Sequence, residues 1–252
     1  MRGGAELVFA RLGDRTVLRS ARSEPPLQIQ RPICGPGGEA IVTLLTPTGD
    51  LLEGDAIDLQ VVCEAGAEVV LRQASATRLH TCQSGDIGSS ARFEVAAGAR
   101  LWYLPCELIP FAKTRYCQDL RLDMAEGAQA VLREVVCPGR VWEREAARHL
   151  SLQVRVTLGD RLILVDSMRL QRPDSTATAH RSHVASILLL GAHYAQQDAD
   201  RIHDAFEHEG LIGSASLLPC YGVGGRVLAN SADAIYRACR LACPELRRFE
   251  WT

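Results

Sequence analysis

Residues Ala56–Gln73 read AIDLQVVCEAGAEVVLRQ. Ile57, Leu59 and Val61 alternate with other positions, the glycine-centred EAGAE of Glu64–Glu68 reverses the chain, and Val69 and Leu71 resume the alternation. A period of two marks a half-buried strand, so the stretch is expected to form a β-hairpin with one apolar face. The same design is written five times. Its other turns are LGDR at Leu12–Arg15, AAGAR at Ala96–Arg100, AEGAQ at Ala125–Gln129 and TLGDR at Thr157–Arg161. From Gly66 through Gly98 and Gly127 to Gly159 the spacings are 32, 29 and 32 residues. A near-constant period of this length is the mark of stacked supersecondary units, each burying its apolar face on the next. The fold class expected is mainly β: stacked β-hairpins in a β-helical, solenoid-like body.

Outward from the repeats, residues 5–20 form a first hairpin, Pro25, Pro26 and Pro32 keep the chain extended, and a strand is expected over Ala40–Leu45. Arg172–Ser182 is polar and contains proline, a loop signal; Val184–Ala192, VASILLLGA, reads as a buried strand. The pattern then becomes helical. Ala199–Glu209 places Ile202, Ala205 and Phe206 at helical spacing with Gly210 as the stop. A second helix is expected from about Ala232 to Cys243, with Ser231 as N-cap and Pro244 ending it. No linker composition divides the chain, so residues 1–252 read as one domain.

Composition narrows function. With 47% hydrophobic residues and a net charge of −2, the chain is an ordinary globule without the basic surface that nucleic acid or an anionic membrane requires. Its longest apolar run is about half of the roughly 20 residues a spanning helix needs. The start, MRGGAELVFA, lacks the apolar core of a signal peptide, so a cytoplasmic location is expected, with reduced thiols. Nine cysteines without a CxxC argue against a disulfide framework or zinc knuckle. Cys63, Cys106, Cys117 and Cys137 have apolar neighbours and read as small core residues, as do Cys239 and Cys243 on the last helix. There is no G-x-S-x-G, P-loop or H-E-x-x-H, and the single lysine, Lys113, follows no glycine-rich loop.

Several short motifs sit where a repeat fold does not need them: QRP at Gln30–Pro32, LLEGD at Leu51–Asp55, RQASATRLH at Arg72–His80, LPCELIPF at Leu104–Phe111, and CPGRVWEREAARHLSL from Cys137 to Leu152. In this order they resemble the urease accessory protein UreD (UreH) family, through Gln30, Arg31, Pro32, Gly54, Asp55, Gln73, Ala74, Thr77, Pro105, Pro110, Phe111, Gln118, Gly139, Arg140 and Glu145. The late segment around Arg226, Val227 and Leu228 is similar too. The chain departs from the pattern at Glu53, in place of a glycine, at Arg78, in place of a lysine, at Leu79-His80, and at Glu143-Arg144.

The resemblance implies a non-enzymatic scaffold. UreD-like proteins bind the urease apoprotein, recruit a helical UreF-like protein and through it a UreG-like GTPase, and help deliver nickel, with a water-filled passage as the proposed route. No tightly bound cofactor is implied, only transient nickel.

Individual residues carry two readings each. Asp55 is either a transient nickel ligand at a passage mouth or a turn carboxylate accepting backbone N–H bonds. Glu107, Gln118, Asp119, Glu134 and Glu145 are candidates for a polar interior, where an unpaired charge would need water, a partner or a cation. Glu134 stands out in the apolar run Val131–Val136; its other reading is an outward strand position. His80 and Cys82, an H-x-C pair on an expected strand, would share one face and offer two donors, or simply pack. Gln73, Thr77, Gln118, Arg140 and Glu145 are passage-lining or structural motif residues. Pro105, Ile109, Pro110 and Phe111 read as an apolar strip for partner docking or as a buried strand. Arg31, Arg140 and Arg226 suit bidentate pairing with a carboxylate, inside the fold or on a partner. His180 and His183 form an H-x-x-H in a loop, a weak chelate. The rival functions are a carbohydrate-active β-solenoid with paired carboxylates, drawn from Asp55, Asp58, Glu107 and Asp119, and a Cys/His nickel store.

Overall fold

The computed structural model describes residues 1–47, 50–139, 149–170 and 182–249. Arg140, Glu145 and His180 lie outside them. The chain begins with β1 (Arg2–Leu12), β2 (Arg15–Ser23), β3 (Gln28–Ile29), β4 (Ile33–Cys34), β5 (Ala40–Leu45) and β6 (Asp50–Leu51). The repeats follow as β7 (Ala56–Cys63), β8 (Glu68–Gln73), β9 (Thr77–Leu79), β10 (Ile87–Val95), β11 (Arg100–Leu104) and β12 (Leu108–Pro110). Then come β13 (Arg115–Met124), β14 (Gln129–Val136), β15 (His149–Leu158), β16 (Arg161–Leu170) and β17 (His183–Leu190). Helix α1 (Gln196–His208), β18 (Ile212–Leu217), β19 (Gly222–Ala229), α2 (Ala232–Ala242) and a 3₁₀ turn, Pro244–Arg248, complete it.

Two sheets face each other. The outer one has the order β16-β15-β13-β10-β7-β1-β2; the inner one runs β18-β19-β17-β14-β11-β8-β5-β3. The mainly β, stacked solenoid with two carboxy-terminal helices is therefore the observed architecture. The pairing inside each unit corrects the expected hairpins. β7 and β8 do not pair with each other: β7 pairs in parallel with β1 and β10, and β8 with β5 and β11. Each inner glycine turn carries the chain from one sheet to the other. Antiparallel hairpins occur at the first and last of the five turns, β1–β2 and β15–β16, where the repeat begins and ends.

The glycine spacing is the sheet register. Ala56 aligns with Gly88, 32 residues on, and Gly88 with Cys117, 29 on, matching the intervals from Gly66 to Gly98 to Gly127. These three glycines have φ of 71°, 70° and 79°, and they stack: a Cβ on Gly98 would lie 3.9 Å from the Gly66 nitrogen, and one on Gly127 3.9 Å from the Gly98 nitrogen. The left-handed backbone of each turn is why glycine recurs there.

Burial separates the layers. Strands of the outer sheet alternate, as in β15, because one face meets solvent. Those of the inner sheet, such as AVLREVV in β14 and VASILLL in β17, are buried on both faces and nearly unbroken in apolar character. Phe9, Val61, Phe93, Leu101 and Leu122 fill the space between the sheets. The inner sheet's other face, with Val70, Trp102 and Ile187, packs on Ile202 and Phe206 of α1, on Ile235 and Cys239 of α2, and on Phe249. The helices are clasped to one another: Arg201 Nε donates to the Ala242 carbonyl at 2.6 Å. Helix α1 stops at Gly210, with φ of 65°. Ser231 is the N-cap of α2, without a side-chain capping bond.

Candidate functional site

Strand parity decides what points between the sheets. On β14, Ala130, Leu132 and Val136 belong to the interior, whereas Val131 and Val135 meet the helix layer. Glu134 shares the interior parity and is 8% exposed. On β13, Tyr116, Leu120 and Leu122 point inward, and Gln118 with them. The result is a hydrogen-bonded relay in an otherwise apolar core. The Tyr116 hydroxyl donates to Gln118 Oε1 at 2.9 Å, and Gln118 Nε2 donates to Glu134 Oε1 in a short contact.

This relay opens on a cavity of about 50 Å³, lined by Gln73, Thr77, Ser90, Tyr103, Tyr116, Gln118 and Glu134 among apolar side chains. At roughly 10–15 Å³ per water, that is room for a few molecules. It shares Ile57 and Ser90 with an open surface groove of about 540 Å³ bordered by Arg2, Glu6, Arg22, Glu24 and Asp58. Burial pushes the Glu134 carboxyl up to about 7, the Asp166 carboxylate adds to this, and Gln118 and Arg226 oppose it. Burial thus favours the protonated form of this carboxyl far more than in water. Burial also raises the Tyr103 and Tyr116 hydroxyls, so they remain neutral donors.

Beyond Glu134 the polar line continues along the inner sheet. Glu134 is opposite Ser186 on β17, Ser186 opposite Arg226 on β19, and Arg226 opposite Ser214 on β18. Arg226 Nη2 reaches across to the outer sheet and donates to both oxygens of Asp166 on β16, at 2.6 and 2.7 Å. Asp166 and Ser186 escaped the sequence reading. Each interrupts an apolar stretch at an inward position, which was the available signal.

The other expected residues lie elsewhere. Asp55 accepts the Leu52 N–H at 2.8 Å and the amino-terminal ammonium; it is a turn carboxylate and does not line the cavity. His80 and Cys82 do not share a strand face, because both follow β9 in a connecting segment. His80 Nε2 pairs with Asp50 at 2.9 Å, and its ring meets Phe111 edge-on at 5.0 Å. Cys82 is buried with Leu79, Ile87 and Tyr116. Glu107 is absent from the cavity wall; its backbone carbonyl accepts the Thr77 N–H and its charge acts on Tyr236 of α2. Asp119 points outward to Arg121 and Arg155. Cys117 is exposed, not core. The strip at Pro105–Phe111 is not an open apolar surface. Pro105, Pro110 and Phe111 are buried and Ile109 packs against the helix layer. Arg226 finds its carboxylate inside the fold.

Two departures from the family pattern have structural roles. Glu53 accepts the N–H groups of Gln83 and Ser84 at 2.8 and 2.9 Å and that of Gly85, which hold its carboxyl down at about 2. Arg78 pairs with Asp50. Among the described residues no three His, Cys, Asp or Glu side chains form a metal cluster, and no helix is long and apolar enough to cross a membrane.

Fold and site define a two-sheet parallel β-solenoid, backed by helices, with a narrow polar line through its core. The UreD urease accessory protein family model matches residues 1–251. The chain is 30% identical to the urease accessory protein UreD of Cenarchaeum symbiosum over 94% of its length and 90% of the relative's. It is 30% identical to that of Haloarcula marismortui, covering 97% and 86%. It is 34% identical to that of Sorangium cellulosum, covering 92% and 77%. The chain belongs to the UreD family.

Proposed function

We propose that this chain is a cytoplasmic, non-enzymatic scaffold of urease maturation. It binds the urease apoprotein, recruits a UreF-like protein and through it a UreG-like GTPase, and passes nickel toward the urease active site along its polar interior. One observation carries the reading: a carboxyl, two amides and two phenols line a cavity inside an apolar solenoid, where a core without traffic would be apolar. A buried, unneutralised carboxylate costs several kcal/mol unless water, a partner or a cation answers it. Hard oxygen donors of this kind hold Ni²⁺ weakly enough to release it, whereas thiolates would retain it. Glu134 and Gln118 are the contact points in this reading, with Gln73 and Thr77 on the wall. Nine free cysteines accord with a reducing compartment.

The test is co-expression with a UreF-like protein, a UreG-like GTPase and urease subunits. The chain is expected to co-purify with the UreF-like protein and to be required for urease activity. Full activity without this chain, or a chain that ignores that partner, would refute the proposal.

A further inference from the structure

We propose that Asp166 and Arg226 form a charge-selective gate at the β16–β19 end of the polar line, shutting the interior to cations until Arg226 turns outward. This deepens the passage reading and rests on it. The pair stands where the sheets finish: β16 is the last strand of the outer sheet and β19 is next to last in the inner one. Asp166 takes the inward parity of its strand, with Met168, and Arg226 that of Leu228. The two charges therefore meet across the gap between the sheets, not on an outer surface. Behind them only Ser186, 7% exposed, separates the guanidinium from Glu134 in the sheet register.

Three properties suit a gate better than a strut. The Arg226 side chain is 41% exposed and that of Asp166 25%, so the guanidinium can swing into water with modest loss, as partly exposed ion pairs hold weakly. A closed Arg226 puts positive charge in the path of a cation. An open one leaves two carboxyls, Asp166 and Glu134, facing it. Both charges already act on Glu134, the carboxylate raising and the guanidinium lowering its affinity for a proton. A carboxylate on a docking partner would compete for the exposed side of Arg226 and open the line.

The experiment places a thiol behind the gate, as Ser186→Cys in the whole chain, and reads its modification by small cationic and anionic methanethiosulfonates, located by mass spectrometry. With the pair intact, both reagents are expected to react slowly. With Arg226→Ala, the cationic reagent is expected to react at least ~10-fold faster and the anionic one to gain little, while Arg226→Lys restores slow labelling. Loss of the arginine also disfavours the thiolate, which alone would slow labelling, so acceleration reports access. Asp166→Asn keeps side-chain shape and is expected to open the line as well. Unchanged rates in Arg226→Ala or Asp166→Asn, or equal acceleration of both reagents, would overturn the gate. The labelling needs no nickel and no partner, so it stands apart from any failure of the passage reading, which Glu134 variants test through urease activation.

Discussion

Replacing Glu134 by glutamine removes a charge from the solenoid interior while leaving side-chain shape and an acceptor for Gln118. The carboxyl sits at about 7 in the fold against an ordinary 4.5, chiefly through burial. Because the folded value is the higher, protonation favours the native state. Its stabilisation is complete below about pH 4.5 and is lost as pH rises through about 7. At about 1.36 kcal/mol per pH unit, the interval sets a ceiling of about 3 kcal/mol. The parent chain should therefore lose up to about 3 kcal/mol more than Glu134→Gln between about pH 4.5 and about pH 8. Denaturant titrations of both chains across that range, followed by far-ultraviolet circular dichroism, measure the difference, and the remaining titrating groups cancel in it. Parallel profiles, within about 0.5 kcal/mol throughout, would refute the claim that Glu134 is buried and largely uncompensated.

Gly98→Ala should cost about 1–2 kcal/mol in the same titration through its left-handed backbone alone, since an added Cβ meets nothing closer than 3.9 Å. Phe206→Ala, under the helix layer, should cost about 3–5 kcal/mol, and a loss below 1 kcal/mol would mean that α1 is not held to the inner sheet as described. Of the nine cysteines, the exposed Cys34 and Cys117 should label rapidly with a thiol reagent in the native state, and Cys63, Cys137 and Cys239 only on unfolding. Glu53→Gln should leave stability less sensitive to acid. The Glu53 carboxyl is depressed to about 2, so its contribution is present above about 4.5 and lost as pH falls through about 2; an unchanged acid limb would contradict the capping of Gln83–Gly85.

The solenoid was legible because the glycine period is also the strand register: a turn that must be left-handed fixes where each coil begins. Alternation alone did not tell which strand pairs with which, although the turns differ: Gly-Asp-Arg stands at the hairpins of Gly13 and Gly159, and Gly-Ala at the crossings of Gly66 and Gly98. The distinguishing signal was present in the contrast between alternating β15 and unbroken β14 and β17, which tells a sheet with a wet face from one covered on both. Glu134 could be singled out as the carboxylate inside VLREVV. Its neighbours could not, because the Asp166–Arg226 pair joins residues 60 positions apart and exists only once the two sheets are stacked. Of the two readings of Pro105–Phe111, a docking strip or a buried strand, alternation could not choose, because Ile109 is covered by a helix layer that follows it by about a hundred residues in the chain.

In the proposed function, nickel reaches urease through the polar line at Glu134. The direct measurement is the nickel content of urease matured in cells carrying Glu134→Leu, which fills the same space without donors, with partner co-purification verified in parallel. Intact complexes and urease depleted of nickel are the expected result. Fully loaded, fully active urease from that variant would contradict it.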